Sequence, residues 1–530
     1  MPDRAKSWDY LIVTAANDRQ AAGYEAQIRL RRELQQLPQV GEVLVIPDQD
    51  GRRVGSGGST LQCLAEVLRR ESQSADHLDR GRAEALLRRL RILIVHAGGD
   101  SRRLPAYSPC GKIFIPLPEA SASALGSTLF DRLVPVFLDL SSATVAGQVV
   151  VASGDALIRF DPAAVRFGGS GITALGAMAS PEEAARHGVF RPGAGGSVRL
   201  YLQKPDVREQ SEARAIGPDG RSVLDIGVMS FDAGAAASFL SAFQTVAARQ
   251  AILSHGVDLY REVCCALGTE ATPEHYVRTA RRSGSALDET LLAALFAELH
   301  SIPLHLQALE ECSFLHFGST SQLISSGLQL VTQDSGAPPA DTVLAINSDV
   351  QPTGRITGRE AWVEGCRLRA PLRLQGRNVL TGVDVLDPLE LPAGACLDVS
   401  SGLDRTGAEV CFIRCCGVDD TFKRPLAAGA TFCGKPLAEW LQAAGAPCSA
   451  IWDDEIPEGE RTLWNARLFP AERHHGAFRR WLWMFDPAAA TPAQTLEFRA
   501  ADRYSSAEIA IRVDHAAFHA RRAALRAAAL

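Results

Sequence analysis

The sequence predicts an α/β protein in which a sheet domain is followed by a left-handed parallel β-helix domain and a mixed C-terminal segment. As far as about residue 300, short aliphatic runs such as YLIVTA and RILIVH alternate with longer amphipathic segments, which is typical of strands joined by helices. Beyond residue 354, leucines recur at every sixth position, a period that neither helices nor ordinary strands keep. With 530 residues, 46% of them hydrophobic, the chain can fill the cores of about two or three domains.

The sheet domain is predicted over residues 1–340, and its elements follow from local patterns. Short aliphatic runs with polar or glycine ends predict strands at YLIVTA, VGEVLVIPD, RILIVH, GQVVVAS, GITALGAMA and LDIGVMSFD. Amphipathic runs predict helices at AAGYEAQIRLRRELQQL, LQCLAEVLRRES, AEALLRRL and STLFDRLVPVFLDL, and Ser59 or Thr60 is the expected N-cap of the second. Residues 187–204 are expected to be a loop and an extended run, and residues 233–300 mostly helical.

The β-helix is predicted over residues 341–430, after a boundary at DSGAPPADT. In such a helix each side is a hexapeptide with one inward aliphatic side chain, and glycines suit the corners. The leucines of the pattern are Leu368, Leu374, Leu380 and Leu386, followed after a phase shift by Leu391 and Leu397, with glycines at Gly376, Gly382 and Gly394. The alternative is a β-rich segment with chance leucines. Residues 431–530 are expected to be mixed, with helices at KPLAEWLQAAG, FRRWLWMF and SAEIAIRVDHAAFHARRAALRAAAL.

Composition excludes several classes of function. The net charge of -6, from 55 basic and 61 acidic side chains, argues against a nucleic-acid coat or a polybasic membrane binder. No apolar run approaches the roughly 20 residues that span a bilayer, and the N-terminal apolar stretch is predicted to be a strand rather than a signal sequence. The 12 cysteines show neither CxxC nor Cys/His zinc spacing, so we expect reduced thiols and a cytoplasmic location.

The segment HAGGDSRRLP has the residue types of a phosphate site. Gly98 and Gly99 follow a buried strand and let the backbone turn tightly, so that its N–H groups can form an anion nest. Arg102 and Arg103 add forked donors, and Lys112 adds a point charge. Together they suit a nucleoside triphosphate, although the segment has neither P-loop nor GxGxxG spacing. The alternative is a surface turn with solvated arginines.

Three further residues suit magnesium and a sugar phosphate. Asp155 ends a strand at the usual ligand edge of an α/β sheet, where it can hold Mg²⁺ unless it is only a turn or capping residue. Lys204 follows an extended run and can bind a sugar phosphate; the alternative is a solvated lysine. Asp225 begins a buried strand, so it must be paired, metal-bound or at the rim. This set predicts nucleotidyl transfer without a protein nucleophile.

The motif HAGGDSRRLP, together with Lys112, resembles the signature of the sugar nucleotidyltransferases. Gly98, Gly99, Arg103, Leu104 and Lys112 occupy its positions, with Ser101 and Arg102 where many members have Gly-Thr. More closely, the chain resembles the fucose-1-phosphate guanylyltransferase (GDP-L-fucose pyrophosphorylase) family. The matching stretches are WDYLIVTAA, VIPDQDGRRVGSGGSTL, ILIVHAGGDSRRLPAYSPCGKIF, SGD, HGVF, YLQKP, FLHFGSTSQ and TLWNARLFP, in order over nearly the whole chain.

This resemblance implies a nucleotidyltransferase-like (Rossmann-like) sheet domain that converts GTP and β-L-fucose 1-phosphate to GDP-L-fucose and pyrophosphate with Mg²⁺. The implied roles are triphosphate stabilisation by Arg103 and Lys112, metal binding by Asp155 and Asp225, sugar-phosphate binding by Lys204, Asp225 and Gly188, and nucleotide binding by Gly55, Gly57, Gly58, Ser59, Gly98, Gly99, Ser101 and Arg102. A structural loop is the alternative for residues 55–60. His187 and His316, in matching motifs, are expected to be buried histidines with satisfied hydrogen bonds.

Several alternatives remain open at this point. The kinase half of the bifunctional relatives is not recognised, so we expect no phosphorylation of free fucose. The sequence identifies no residue that must recognise guanine. The substrates can therefore also be another nucleotide or another sugar 1-phosphate, such as that of a heptose or of D-arabinose. A non-catalytic sugar-nucleotide-binding relative is the other alternative, and the presence of Arg103, Lys112 and Asp155 argues against it. The sequence leaves the oligomeric state open, although β-helix domains often pair chains.

Overall fold

The computed structural model describes residues 8–72, 79–119, 121, 123–140, 146–337 and 342–529. Contacts divide the chain into two compact units, the first formed by Met1–Gly99 and Arg132–Phe314, the second by Asp100–Asp131 and Leu315–Leu530. The division falls inside the motif HAGGDSRRLP. These units do not coincide with the predicted ranges 1–340, 341–430 and 431–530, because residues 100–131 group with the C-terminal part of the chain.

Strands and helices alternate over the first part of the chain, and strands predominate between residues 343 and 417. The strands are β1 (Tyr10–Ala15), β2 (Glu42–Pro47), β3 (Arg91–His96), β4 (Gln148–Ser153), β5 (Ala156–Arg159), β6 (Ile172–Ala179), β7 (Gly188–Pro192), β8 (Val198–Gln203), β9 (Ser222–Phe231), β10 (Leu304–Leu309), β11 (Ser313–His316), β12 (Val343–Ile346), β13 (Asp349–Val350), β14 (Ile356–Thr357), β15 (Ala361–Glu364), β16 (Arg367–Leu368), β17 (Leu372–Leu374), β18 (Asn378–Thr381), β19 (Asp384–Val385), β20 (Leu389–Leu391), β21 (Ala395–Leu403), β22 (Glu409–Gly417), β23 (Thr431–Phe432), β24 (Lys435–Pro436), β25 (Phe469–Glu472) and β26 (Arg503–Tyr504). The α-helices are α1 (Asp18–Glu33), α2 (Gly55–Ser72), α3 (Arg80–Leu87), α4 (Leu129–Leu138), α5 (Pro181–Ala184), α6 (Val207–Glu212), α7 (Ala233–Ala242), α8 (Val246–His255), α9 (Pro273–Arg282), α10 (Glu289–Leu299), α11 (Thr320–Ser335), α12 (Leu437–Ala443), α13 (Pro492–Ala500), α14 (Ser506–Arg512) and α15 (His515–Ala529).

The first unit is built on a nine-stranded mixed sheet with the order β10-β6-β9-β4-β3-β1-β2, to which β7 and β8 attach through β9. Strands β2, β1, β3 and β4 are parallel, whereas β9 runs antiparallel to β4 and β6. This arrangement confirms the α/β class. Because His96 of β3 pairs with Ser153 of β4, the segments that follow these two strands leave the sheet at one edge.

The start of helix α2 differs from the prediction. The helix begins at Gly55, so Ser59 and Thr60 lie inside it and do not cap it. The N–H groups of Gly57 and Gly58 donate instead to the carbonyl of Val257, at 2.8 and 3.1 Å. A backbone carbonyl from a distant segment therefore satisfies donors at this helix start that a side chain would otherwise satisfy.

The second unit contains three parallel ladders, β12-β15-β18-β21, β13-β16-β19 and β14-β17-β20. Each strand pairs with a strand of the next group of three, so that three short strands repeat along the chain. Gly376, Gly382 and Gly394 lie between these strands with φ of 122°, 67° and 74°, as expected for corners that favour glycine.

One leucine of the six-residue pattern does not point inward. The other five, Leu368, Leu374, Leu380, Leu391 and Leu397, are buried. Leu386 is 60% exposed, and the fully buried Val385 takes the inward position. The prediction for Leu386 was therefore wrong because the phase shift comes before this residue, between β18 and β19.

The C-terminal segment is helical in pieces. The single terminal helix that we predicted is instead α14 and α15, separated at Val513 and Asp514. Asp514 donates its N–H to the carbonyl of Ser401 at 3.0 Å, and its Oδ1 accepts the N–H of Ala517 at 2.9 Å. The bond to Ser401 draws this backbone towards β21, and the side chain of Asp514 then starts a new helix. The stretch FRRWLWMF lies in a 3₁₀ helix, His475–Phe485, rather than an α-helix.

Two further expectations concern the state of the cysteines and membrane-spanning segments. All 12 cysteines are free thiols. Burial raises the pKa of Cys110 to about 12, so this thiol stays protonated and is a poor nucleophile. Among the described residues, no helix has the length and the apolar character that crossing a membrane requires.

Candidate functional site

A cluster of carboxylates in the first unit contains two of the predicted site residues. Asp225, on β9, is only 5% exposed. Its Oδ2 accepts the hydroxyl of Tyr201 at 2.8 Å, and its Oδ1 accepts the N–H of Gly227 at 2.7 Å. Asp155 lies two residues after the end of β4, and its Oδ1 accepts the hydroxyl of Ser153 at 2.8 Å. Of the three expected environments for Asp225 (paired, metal-bound or at the rim), the structure shows hydrogen bonds to both carboxylate oxygens, and metal binding stays a prediction.

Tyr260 lies within the electrostatic influence of these carboxylates. Loss of solvation raises the pKa of Tyr260 well above its ordinary value, and the negative charges of Asp225, Asp258 and Asp155 raise it further. Gly227 has a φ of 72°, and a Cβ on it would lie 3.4 Å from the Tyr260 hydroxyl and 3.1 Å from the Cβ of Ser153. The negative charges of Asp155 and Asp225 thus both act on this one phenol.

The donor set of this cluster suits magnesium. Mg²⁺ prefers oxygen ligands and is commonly bound by one or two carboxylates together with substrate phosphates. Among the described residues, no group of three or more His, Cys, Asp or Glu side chains is arranged to hold a metal ion. Asp155 and Asp225 therefore fit a site that substrate oxygens would complete, and metal binding by them stays a prediction.

The buried Asp225 makes the protein's stability depend on pH. Burial raises the pKa of Asp225 from 3.8 to about 6, although the Gly227 N–H and the Tyr201 hydroxyl partly oppose this shift. Between these two values the native state binds a proton that the unfolded state has lost. We therefore expect the free energy of unfolding to fall by about 3 kcal/mol as pH rises from about 4 to above 6. Urea unfolding across this pH range should show this decrease in the wild type and a smaller decrease in Asp225→Asn. Equal decreases in the two proteins would contradict the raised pKa of Asp225.

Gly188 has a packing role that explains why this position needs a glycine. A Cβ on Gly188 would lie 1.8 Å from the hydroxyl oxygen of Tyr201. The glycine thus leaves the space in which Tyr201 reaches Asp225. A direct contact between Gly188 and the sugar phosphate stays a prediction.

We expect Gly188→Ala to destabilise the protein by about 1–3 kcal/mol, because the added methyl group collides with the Tyr201 ring and hydroxyl. Displacement of this hydroxyl would also deprive Asp225 of a donor. Thermal unfolding and turnover of the variant measure both effects. Gly169→Ala is the matched control in the same unit, since no described atom lies within 4 Å of its Cβ position. Equal behaviour of the two variants would contradict the role of Gly188.

Lys204 directly follows β8 and is exposed. Its φ of 48° is unusual for a lysine, and its N–H donates to the carbonyl of His187 at 3.1 Å. The backbone therefore sets the position of this lysine, while its side chain reaches solvent. His187 and His316 are half-buried rather than buried, and the ring of His187 stacks on Phe314 at 6.0 Å between centroids.

The glycine-rich segment at residues 55–60 makes internal contacts. A Cβ on Gly55, which has a φ of 77°, would lie 2.3 Å from the carbonyl oxygen of Val257. That oxygen accepts the amides of Gly57 and Gly58. Ser59 donates its hydroxyl to Asp48 at 2.6 Å. These contacts favour the structural alternative for this segment, and nucleotide binding by it stays a prediction.

The same segment leads to residues that the sequence analysis did not identify. Ser56 donates its hydroxyl to Asp258 at 3.1 Å and accepts the N–H of Leu259 at 2.8 Å. Asp258 also accepts the backbone N–H groups of Tyr260 and Arg261. The stretch GVDLYRE has no motif of its own, and its aspartate followed by a helical turn indicates only a cap.

At the end of β3, the turn carries Gly98 and Gly99. The amides of Ala97 and Gly98 donate to the hydroxyl oxygen of Thr14, at 3.1 and 3.3 Å, so they are already paired. Gly99 has a φ of 113°, and no described atom lies within 4 Å of the position of a Cβ on it. Of the two glycines, Gly99 is therefore the one beside which a ligand has room.

The second unit brings two predicted cations together. A Cβ on Gly318 would lie 3.4 Å from Nη2 of Arg103 and 3.9 Å from Nζ of Lys112. Both cations thus approach the same backbone, two residues before helix α11 begins. The carbonyl of Arg103 accepts the N–H of Thr320 at 3.1 Å, which fixes the arginine backbone to the helix start. The positive end of the α11 dipole adds to these two charges and makes the region attractive to anions.

The other two predicted residues of the motif have different surroundings. Arg102 pairs with Asp100, with 2.9 Å between Nη2 and Oδ2, and both side chains are partly exposed. Ser101 is buried and has a φ of 52°. The charge of Arg102 is thus partly neutralised by Asp100.

Gly318 and Gln322 received no role in the sequence analysis, although they lie in the quoted stretch FLHFGSTSQ. Gln322 accepts the N–H of Gly318 at 3.2 Å. Gly318 and Ser319 directly precede α11, and a serine before a helix is typical of helix starts, whose N–H groups can bind anions. That pattern could have identified this region.

Comparisons with known proteins identify the family of the chain. A family model described as the fucose pyrophosphorylase domain matches residues 84–474, well over half of the chain. The bifunctional fucokinase/GDP-fucose pyrophosphorylase of Arabidopsis thaliana is 26% identical over 521 residues, which cover 88% of this chain and 47% of that protein. The L-fucokinase/L-fucose-1-P guanylyltransferase of Bacteroides fragilis is 27% identical over 414 residues, which cover 75% of this chain and 40% of that protein.

The fucose-1-phosphate guanylyltransferase of Homo sapiens is 25% identical over 533 residues, covering 88% of this chain and 82% of that protein. The chain thus spans about half or less of the first two relatives and most of the third. The matched range contains the cationic pair Arg103 and Lys112 and the carboxylates Asp155 and Asp225. The chain therefore belongs to the fucose pyrophosphorylase domain family.

Proposed function

We propose that the protein transfers the guanylyl group of GTP to L-fucose 1-phosphate, forming GDP-L-fucose and pyrophosphate. The observation that supports this most directly is the family match over residues 84–474, which contains both charged clusters. The names of these relatives describe GDP-fucose pyrophosphorylase or fucose-1-phosphate guanylyltransferase activity.

In this proposal Arg103 and Lys112 bind the triphosphate of GTP. A phosphate oxygen of the sugar 1-phosphate attacks the α-phosphorus, and the bond from that phosphorus to the pyrophosphate oxygen breaks. Negative charge grows on the leaving pyrophosphate during this step. The forked guanidinium and the ammonium stabilise that charge, and they need no rearrangement if they are already in place. No protein nucleophile and no covalent intermediate are needed.

The carboxylate cluster would hold the metal. Asp155 and Asp225 would bind Mg²⁺, which when bound neutralises phosphate oxygens and orients them. The Tyr201 hydroxyl and the Gly227 N–H hold Asp225 in place. Lys204 would bind the phosphate of the sugar, since its backbone is fixed while its ammonium reaches solvent.

The proposal also includes the fold of each unit. The parallel β1–β4 group with its crossing helices supports a nucleotidyltransferase-like sheet, and the three parallel ladders of the second unit support a left-handed β-helix. Association of chains through that β-helix stays a prediction. The 12 free thiols support a cytoplasmic location.

A panel of substrates tests the proposed specificity. Pyrophosphate release is measured for GTP, ATP, CTP and UTP, each with L-fucose 1-phosphate, D-arabinose 1-phosphate, a heptose 1-phosphate or D-glucose 1-phosphate. We expect the highest kcat/KM for GTP with L-fucose 1-phosphate, by at least about 10-fold. A higher value for another pair would replace the assigned substrates and keep the chemistry. Binding of GDP-L-fucose without turnover of any pair would establish the non-catalytic alternative.

A further inference from the structure

A buried ion pair in the second unit joins the last helix to the β-strand ladders. Arg522 of α15 donates from Nε and Nη2 to both carboxylate oxygens of Glu364 on β15, at 2.7 to 3.0 Å. The guanidinium also lies over the ring of Phe518, 3.4 Å from its centroid. Burying two charges costs so much solvation energy that such a pair is weak evidence for stability. The contacts of the pair instead point to a role in fixing the arrangement of its neighbours.

Glu364 holds a second partner. Its Oε2 accepts the hydroxyl of Tyr107 at 3.2 Å, and the same hydroxyl oxygen accepts Nε1–H of Trp362 at 2.7 Å. Tyr107, Trp362 and Glu364 are all fully buried. A buried network in which each polar group has a partner selects one geometry, because any other would leave a polar group unpaired.

The backbone of Tyr107 fixes the chain on both sides of it. Its N–H donates to the carbonyl of Leu104 at 3.2 Å, and its carbonyl accepts the N–H of Gly111 at 3.0 Å. Leu104 directly follows Arg103, and Gly111 directly precedes Lys112. Tyr107 thus lies at the centre of the two turns that present the cationic pair.

We infer that Arg522 and Glu364 are positioning residues for Arg103 and Lys112, acting through Tyr107. The C-terminal helix, which has no motif of its own, then contributes to the reaction without touching substrate. This inference rests on the proposed function where turnover is concerned, but the placement of the segment 101–115 can be measured separately.

The neighbouring Arg521 provides a matched control. It donates to the carbonyl of Gly365 at 3.1 Å and pairs with Asp384. It thus attaches the same helix to the same ladders, but it does not contact the network of Tyr107 and Glu364. Loss of Arg521 tests what weaker attachment of α15 does by itself.

The experiment compares Tyr107→Phe, Arg522→Met and Arg521→Met in the full chain. We measure thermal unfolding, hydrogen exchange of residues 101–115, and kcat and KM for GTP. We expect Tyr107→Phe and Arg522→Met to speed exchange in this segment and to lower kcat/KM by about 10²-fold, as misplacement of a charge partner does. We expect Arg521→Met to leave the exchange of residues 101–115 and kcat/KM unchanged, even if it lowers the unfolding temperature.

A double variant separates the loss of the ion pair from misfolding. Arg522→Met alone leaves the Glu364 charge buried and unpaired, whereas Glu364→Gln with Arg522→Met removes both charges and should fold. Fast exchange at 101–115 in this folded double variant would support the inference. Equal effects of Arg521→Met and Arg522→Met, or wild-type exchange in Tyr107→Phe, would overturn it. A wild type that exchanges slowly at 101–115 but shows no turnover would overturn the proposed function instead.

Discussion

Lys112→Ala is expected to lower kcat for pyrophosphate release by about 10²–10³-fold, the usual cost of removing one group that stabilises developing charge. The ammonium of Lys112 lies beside the Arg103 guanidinium over Gly318, so its loss halves the positive charge of that pair. The lysine is partly exposed, so the fold should be little affected. Steady-state kinetics with GTP and L-fucose 1-phosphate measure the effect.

The control for this prediction is Lys435→Ala in the same unit. Lys435 pairs with Asp486 at 2.8 Å, and both side chains are exposed. Its replacement removes one positive charge from the protein but none from the cationic pair, so kcat should be unchanged. Wild-type turnover in Lys112→Ala, or an equal loss in Lys435→Ala, would remove Lys112 from the mechanism.

Asp225→Asn and Asp155→Asn are expected to reduce turnover by at least about 10³-fold and to raise the Mg²⁺ concentration needed for half-maximal rate. Each substitution removes one of the two carboxylates that fit the metal. Asp225→Asn removes the buried charge, but its amide nitrogen cannot accept one of the two hydrogen bonds that Asp225 accepts, so thermal unfolding of the variant is measured beside its activity. Loss of activity in a stable protein would therefore reflect the site rather than the fold.

Magnesium titrations of the rate and of binding separate these effects. Asp219→Asn is the control in the first unit, since Asp219 is exposed and pairs only locally with Arg221 at 2.9 Å. We expect its magnesium dependence to match the wild type. Unchanged magnesium dependence in both Asp155→Asn and Asp225→Asn would show that the carboxylate cluster does not hold the metal.

The sequence identified much of the secondary structure because the elements of the sheet have clear local signals. Strands β1, β3 and β4 are continuous aliphatic runs, and the helices between them are amphipathic. Leu386 was misplaced because a repeat period does not show where its phase shifts. The break between α14 and α15 depends on a bond from Asp514 to Ser401, a distant residue that no local pattern reveals.

For the candidate site, the sequence predicted the residues but not the contacts between them. Arg103, Lys112, Asp155 and Asp225 were found from the motif and from strand ends. Their partners were not, because the contacts join residues far apart in sequence. Tyr201, which holds Asp225, lies 24 positions away, and Arg522 and Glu364 are 158 positions apart.

The most direct test is a ³¹P NMR time course of the purified chain with GTP, L-fucose 1-phosphate and Mg²⁺. We predict that the signals of GTP and of the sugar phosphate disappear together, while those of pyrophosphate and a GDP-sugar appear in equal amounts. Release of GDP and inorganic phosphate, or unchanged spectra under conditions in which the chain is folded, would contradict guanylyl transfer.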